Sequence, residues 1–212
     1  MIVLAIDTAL AACSAALVRD GDAIAVKSEA MERGHAERLA PLVDELMRGA
    51  GARFAELDRI VVTVGPGSFT GVRVGLSFAR GLALALGRPC VGVSTLEALA
   101  GEGTGLRAGA IAGAGEVYFA AYGDAEALIA PKRYAIEEAR GLTPPGAVVR
   151  GPAAELFRDV ASSVEVLAAP DVVVLARLGA ARDPAAHPPT PQYLRAPDAK
   201  LPGGKTPPGQ AA

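Results

Sequence analysis

The sequence predicts a compact, turn-rich α/β fold, and three observations support this class. Hydrophobic residues make up 51% of the 212 residues and charged residues 21%, which provides enough apolar material for a substantial core. The 25 glycines and 16 prolines are many for a helical bundle and indicate frequent tight connections. Short apolar, often β-branched runs alternate with stretches whose apolar residues recur at helical spacing. One or two mixed domains are therefore expected.

The first half of the chain is predicted to be a strand meander followed by alternating strands and helices. The run at 2–6 is apolar throughout, which is typical of a strand covered on both faces, and it ends at Asp7. Residues 19–22 have the composition of a hairpin turn, and the glycines after each helical stretch supply stops. In chain order, the predicted elements are strands at 2–6, 13–18 and 23–26, a helix at 35–50, a strand at 60–64, a helix ending at Leu86, a strand at 91–93 and a short helix at 96–100.

The second half begins after a glycine-rich break at 101–105, where we place a domain boundary. Its opening strand-turn-strand pattern at 108–122 repeats that at 4–18, which indicates duplicated halves. Further predicted elements are strands at 147–149 and 164–167 and helices at 153–160 and 172–182. The chain thus divides into an N-terminal subdomain at 1–103, a smaller C-terminal subdomain at 104–182 and a proline-rich tail at 183–212, where prolines block regular ladders.

Charge and composition limit the function classes. Lysine and arginine total 21 against 23 acidic residues, a net charge of −2, and aromatic residues make up 4% with no tryptophan. This composition disfavours a chain that binds nucleic acid by itself, since such chains carry a basic field or stacking aromatics. The start has no basic leader, and the apolar window 74–86 is short for a membrane span and contains Arg80, so we expect a cytoplasmic protein. Cys13 and Cys90 are expected to be buried thiols.

The loop from Gly65 to Gly71 connects a predicted strand to a helix and has two interpretations. A helix N-terminus with glycines can hold a phosphate, which would make a vestigial nucleotide loop of Asp7, Gly65, Gly67, Ser68, Thr70 and Gly71. The spacing differs from the dinucleotide pattern, however, and no Gly-Lys-Ser/Thr follows. In the structural alternative, the glycines permit a tight turn, Thr70 caps the helix, and Gly71 and Gly75 allow close packing.

A stripe of small residues runs along the same helix. Gly71, Gly75, Ala79 and Ala83 recur every four residues, so another element can approach closely. The spacing leaves open whether that neighbour belongs to this chain or to a partner.

Candidate catalytic groups are few. Asp7 ends a strand, where a carboxylate could hold magnesium, but no second acid stands at the corresponding place in the other half, so a structural role is favoured. His35 and His187 are the only histidines, which argues against a zinc hydrolase or a metalloprotease. We expect His35 to cap the first helix rather than act as a general base.

The run from Gly65 to Gly75 reads GPGSFTGVRVG. This run closely resembles a specific signature of the TsaB (YeaZ) family, which takes part in threonylcarbamoyladenosine modification of bacterial tRNA. The other matching segments, in order, are LAIDT at 4–8 with CSAAL at 13–17, His35 with Leu39, Pro41 and Leu46, GLA at 81–83, GVSTL at 92–96, GEVY at 115–118, PQYLR at 191–195 and KLPG at 200–203. The resemblance spans nearly the whole chain, although 112–115 reads Ala-Gly-Ala-Gly where the family commonly has Asp-Ala-Arg.

The resemblance implies an actin-like ASKHA fold of two RNase-H-like halves, with mixed sheets flanked by helices. It also implies a non-catalytic subunit that binds the catalytic paralogue TsaD and, with it, the ATPase TsaE, that forms a homodimer when alone, and that meets tRNA only through the complex. No cofactor is expected in this chain, because ATP, magnesium and a metal would belong to the partner subunits. The implied partner-binding residues lie on the first and second helices: His35, Leu39, Leu42, Val43, Leu46, Gly71, Val72, Gly75, Ala79, Leu82 and Ala83.

Two functions remain in competition. The scaffold subunit is favoured by the full-length resemblance and by the missing metal and Walker elements. The alternative is an ASKHA-fold ATPase or phosphotransferase that uses Asp7 and the loop at 65–71, and it rests on fold analogy alone.

Overall fold

The computed structural model describes residues 1–124 and 127–194, and its first half is built on a five-stranded mixed sheet. The strands, in the spatial order β3-β2-β1-β4-β5, are β1 (Ile2–Asp7), β2 (Ala12–Arg19), β3 (Asp22–Ala30), β4 (Arg59–Thr63) and β5 (Cys90–Val93). β2 is antiparallel to β1 and β3, whereas β4 is parallel to both β1 and β5. The predicted hairpin turn is confirmed, since Asp20 and Gly21 both have positive φ angles of 52° and 93°.

The second half repeats this arrangement. Its strands, in the spatial order β10-β9-β6-β7-β8, are β6 (Arg107–Ala112), β7 (Glu116–Tyr122), β8 (Ala127–Ala135), β9 (Val148–Arg150) and β10 (Ser163–Glu165). β7 is antiparallel to β6 and β8, and β9 is parallel to β6 and β10. The spatial order and the relative directions of these strands match those of the first sheet. The predicted duplication is confirmed, and with it the ASKHA fold of two RNase-H-like halves.

Helices cover both faces of the first sheet. The α-helices of the described residues are α1 (His35–Gly49), α2 (Phe69–Leu86), α3 (Thr95–Ala100), α4 (Ile136–Leu142) and α5 (Val172–Ala180). Alternate residues of β1 enter different clusters: Leu4 and Ile6 pack with α1 and α2, whereas Val3 and Ala5 pack with α5. The apolar run at the start of the chain is thus buried on both faces, as predicted.

Two helices cross between the halves. α5 follows the second sheet in the chain but packs on β1, β2 and β4, and α3 follows the first sheet but packs on β6 and β7. Gly179 of α5 permits this contact, since a Cβ there would lie 2.3 Å from a methyl of Val61. The Arg59 guanidinium donates to the carbonyls of Gly179 and Ala180, both at 2.9 Å, and so binds the C-terminal end of α5. The subdomain boundary at 103/104 stays a prediction.

An ion-pair network fastens α1 to the edge strand β3. Arg38 contacts Glu29 of β3 through a guanidinium nitrogen 2.5 Å from the carboxylate and Glu45 of its own helix at 2.7 Å. Lys27 of β3 reaches Glu45 at 2.6 Å. These ion pairs connect α1 to β3.

The second half contains elements that the sequence analysis missed or misplaced. β8 and α4 were not predicted: Pro131 interrupts the β8 pattern, which an edge strand tolerates, and α4 buries only Ala139 and so has no apolar repeat. The helix predicted at 153–160 is a 3₁₀ helix over Ala154–Phe157, and the strand predicted at 164–167 is Ser163–Glu165. Both segments are too short for periodicity to define them.

Part of the proline-rich tail is docked. The Gly92 amide donates to the His187 carbonyl at 3.0 Å, and the Gln192 amide donates to the Val64 carbonyl at 2.7 Å. Residues 187–194 therefore run along the ends of β4 and β5. Residues 195–212, which include the matching segment at 200–203, lie outside the described residues.

α2 is the one helix among the described residues that is long and apolar enough to cross a membrane, with 18 residues and a mean hydropathy of 1.3. It begins at Phe69, earlier than the apolar window at 74–86. One of its faces packs into the core of the first half, as in a core helix of a folded domain.

Candidate functional site

Asp7 lies at the end of β1 and is fully buried. Its Oδ1 accepts hydrogen bonds from the Thr63 hydroxyl at 2.7 Å and from the Ala9 amide at 3.2 Å, and its Oδ2 has no partner among the described residues. Burial raises the pKa of this carboxyl to about 6, although the hydrogen bonds from Thr63 and Ala9 and the charge of His35 act in the opposite direction. The carboxyl is therefore enclosed by its own chain.

The loop before α2 is folded tightly against the β1–β2 turn. The Ser68 amide donates to the Ala9 carbonyl at 2.8 Å, and the Ser68 hydroxyl accepts from the Gly71 amide at 3.0 Å. Ser68 is thus the N-cap of α2, and the prediction that Thr70 caps it is wrong: Thr70 is exposed in the first turn. A Cβ at Gly67 would lie 2.3 Å from the Ala9 carbonyl oxygen. Two backbone donors of this loop are used inside the chain.

The glycines of α2 permit a close approach to β1. A Cβ at Gly71 would lie 2.0 Å from the Thr8 carbonyl oxygen, and one at Gly75 would lie 2.6 Å from the Thr8 hydroxyl. That hydroxyl donates to the Gly71 carbonyl at 2.7 Å. The close packing given as the structural alternative for these glycines is confirmed. Gly65, the first loop residue, contacts Gln192 of the docked tail.

The other candidate groups are His35 and the two cysteines. His35 is the first residue of α1, but the N-cap is Gly34 and no side chain caps the helix, so the predicted capping role is wrong. His35 is buried, and its Nε2 has no partner among the described residues. Cys13 and Cys90 are free, and burial raises the pKa of both thiols to about 11. Within the described ranges, no three His, Cys, Asp or Glu side chains are grouped to hold a metal ion.

The predicted partner-binding residues are mostly core residues of this chain, and their assignment to a partner surface stays a prediction. All but Leu82, which is half-buried, are buried: His35, Leu39, Leu42, Val43, Leu46, Gly71, Val72, Gly75, Ala79 and Ala83. Amphipathic helices bury their apolar face first against their own sheet, and side chains with almost no exposed surface leave little for a partner to contact. In this chain the stripe therefore packs into the core of the first half.

A different face of the same helix pair is open. α1 and α2 enclose a groove of about 480 Å³. Its lining residues are Ala36, Leu39, Phe69, Thr70, Arg73, Val74, Ser77 and Phe78. Phe69 is 53% exposed, and Leu84, farther along α2, is 85% exposed. Both apolar side chains are thus exposed on α2. Sequence reasoning named Leu39 as a partner-binding residue and Thr70 only as part of the nucleotide loop, and it missed the other groove residues, although apolar residues on both sides of α2 are the available signal.

The chain is similar in sequence and in structure to known proteins. The family model described as "TsaD: tRNA N6-adenosine threonylcarbamoyltransferase" matches residues 23–155. TsaB of Escherichia coli is 41% identical over 129 residues, which cover 58% of this chain and 55% of that protein. An uncharacterized protein of Mycobacterium tuberculosis is 37% identical over 202 residues, 93% of each chain. A Pseudomonas aeruginosa crystal structure, described as having similarity to peptidase YEAZ, has a TM-score of 0.76 at 30% identity over 92% of this chain and 99% of that one.

The chain belongs to the TsaB (YeaZ) family. The resemblance found in the sequence motifs is thereby confirmed. The family acts in tRNA threonylcarbamoyladenosine biosynthesis, as the name of its E. coli member states. Where the TsaB family commonly has Asp-Ala-Arg, this chain has a tight turn between β6 and β7 in which the Gly113 amide donates to the Glu116 carbonyl at 2.8 Å.

Proposed function

We propose that this chain is a non-catalytic scaffold subunit of the tRNA threonylcarbamoyladenosine modification complex, acting in the cytoplasm. It binds a TsaD-like paralogue and, with it, a TsaE-like ATPase, and it forms a homodimer through the same surface when alone. The observation that carries the proposal is the apolar groove between α1 and α2, open in a chain of the TsaB family. A helix-lined groove accepts helices of a partner.

The interior of the first half supports a structural role for the vestigial nucleotide loop. A magnesium ion needs an accessible carboxylate with further oxygen ligands, whereas Asp7 is enclosed with Thr63 and Ala9. A phosphate needs free amides, whereas those of Ser68 and Gly71 already donate within the chain. We therefore propose that ATP, magnesium and a metal are held by the partner subunits and that none is intrinsic to this chain.

Reconstitution tests the proposal. The purified chain is combined with its cognate TsaD, TsaE and threonylcarbamoyl-adenylate synthase on unmodified tRNA, and the nucleosides are analysed by mass spectrometry. We expect threonylcarbamoyladenosine when all components are present, and none from this chain alone or when this chain is omitted. Full modification without this chain would contradict the scaffold role. Turnover of magnesium-ATP by this chain alone would favour the phosphotransferase alternative.

A further inference from the structure

The docked C-terminal segment reaches the rim of the groove between α1 and α2. Two hydrogen bonds fix its backbone: the Gln192 amide donates to the Val64 carbonyl, and the Arg80 guanidinium donates to the Pro189 carbonyl. Leu194 packs on the buried cluster around Leu96. Tyr193, between the anchored Gln192 and Leu194, is 47% exposed. The segment thus presents one aromatic side chain at a defined place beside α2.

Tyr193 holds an arginine of α2 between two rings. The Cζ of Arg73 lies 3.6 Å from the centroid of the Phe69 ring and 5.9 Å from that of Tyr193. The Arg73 Nε donates to the Tyr193 hydroxyl at 3.0 Å, and the two ring centroids are 5.7 Å apart. Cation–π contacts and a hydrogen bond together restrict a side chain that is otherwise free to rotate. Arg73 is thus preorganised on the rim.

Within the described part of the chain, Arg73 is also a cation without a counter-charge. Among the described residues, no carboxylate lies within ion-pair distance of it, and neither Nη1 nor Nη2 donates a hydrogen bond there. It is the one charged residue among the eight that line the groove. The complementary occupant is therefore a largely apolar protein surface that carries one carboxylate at the matching position.

We propose that Tyr193 completes the partner-binding surface: it holds Arg73 against Phe69 so that the guanidinium receives a carboxylate from the helix that lies in the groove. This inference rests on the proposed function, in which that helix belongs to the TsaD-like paralogue. Tyr193 is a positioning residue, and Arg73 makes the contact. Residues 193 and 73, distant in sequence, thereby act as one recognition unit.

Titration calorimetry with the purified cognate TsaD-like protein tests the proposal on the full chain. Tyr193→Ala removes the ring and the hydroxyl, and Arg73→Gln removes the charge, so each should weaken binding by roughly tenfold. Tyr193→Phe keeps the ring and should lose only a few-fold in affinity. The double variant should bind about as weakly as either single variant, because the two residues serve one contact. Arg158→Gln, an exposed arginine of the second half, is the matched control and should bind as wild type.

Salt and charge reversal identify the carboxylate. Binding by wild type should weaken with sodium chloride more steeply than binding by Arg73→Gln. Arg73→Glu should bind poorly and regain affinity with a paralogue variant in which one groove-facing Asp or Glu is changed to Lys. Circular dichroism confirms that each variant is folded.

Each outcome separates the inference from the function on which it rests. Failure of the wild-type chain to bind the paralogue would overturn the proposed function. Wild-type binding that Tyr193→Ala and Arg73→Gln both retain in full would overturn the inference and leave the function standing. Binding of the chain alone to tRNA, abolished by Arg73→Gln, would show that the rim recognises nucleic acid and would overturn the protein occupant.

Discussion

At the residue scale, Asp7 couples folding stability to pH. Burial raises the pKa of its carboxyl from 3.8 to about 6. Between these pH values the folded chain keeps a proton that the unfolded chain has released. The free energy of unfolding therefore falls as the pH rises through this window, and above the window the loss stays constant. The full difference is about 3 kcal/mol. Asp7→Asn carries no charge, and the variant should therefore gain stability relative to wild type as pH increases from about 4 to about 7.

Urea unfolding of wild type and Asp7→Asn at several pH values across this window measures the effect. The same comparison in a His35→Gln background is the control, because His35 is the nearby charge that acts on Asp7. In that background, the difference in free energy of unfolding between the Asp7→Asn variant and its parent should still grow with pH. If the difference in free energy of unfolding between variant and wild type stayed constant with pH, the buried carboxyl would not have the raised pKa.

At the element scale, α2 packs one face into its own chain, and the proposal assigns another face to a partner. Ala79 has no exposed surface, whereas Ala85 on the same helix is exposed. Ala79→Leu should overpack the core and lower the free energy of unfolding by about 1–3 kcal/mol, whereas Ala85→Leu should change it by less than about 0.5 kcal/mol. Chemical denaturation of both variants makes the comparison. A stable Ala79→Leu variant that lost partner binding would support the small-residue stripe as an interface.

Some elements could be predicted from the sequence and others could not. β1, α1 and α2 were predictable because each has an uninterrupted apolar pattern with clear stops, such as the left-handed Gly87 after α2. β8 was missed because Pro131 breaks its pattern, and its edge position became known only once the sheet was assembled. The duplicated topology was predicted from one repeated strand-turn-strand segment.

The site is harder to predict from the sequence than the fold, for a physical reason. Periodicity finds the buried face of an amphipathic helix, and at Leu42 and Val43 that face meets this chain's own sheet. Exposed residues of the groove, such as Ser77, carry no periodic signal. The contact of Tyr193 with Arg73 joins residues 120 positions apart, which no local pattern reveals.

At the scale of the whole molecule, the two halves are joined by two helices, each of which packs on the sheet of the other half, and by the docked segment at 187–194. α5 covers the first sheet and α3 covers the second. Residues 187–194 run from β5 to the buried apolar cluster around Leu96. Such cross-connections oppose the separate motion of two lobes. A body of this kind is suited to present a fixed docking surface, which is what a scaffold subunit requires.

The most direct test of this account is the affinity of the cognate TsaD-like protein for Ser77→Arg. Ser77 is exposed in the groove and its side chain makes no hydrogen bond within the described residues, so the substitution should leave folding intact and fill the groove with a charged side chain. Ser163→Arg, an exposed serine on β10 of the second half, is the matched control. We expect Ser77→Arg to weaken binding by roughly tenfold or more and Ser163→Arg to bind as wild type. Equal affinities for wild type, Ser77→Arg and Ser163→Arg would contradict the docking of the partner between α1 and α2.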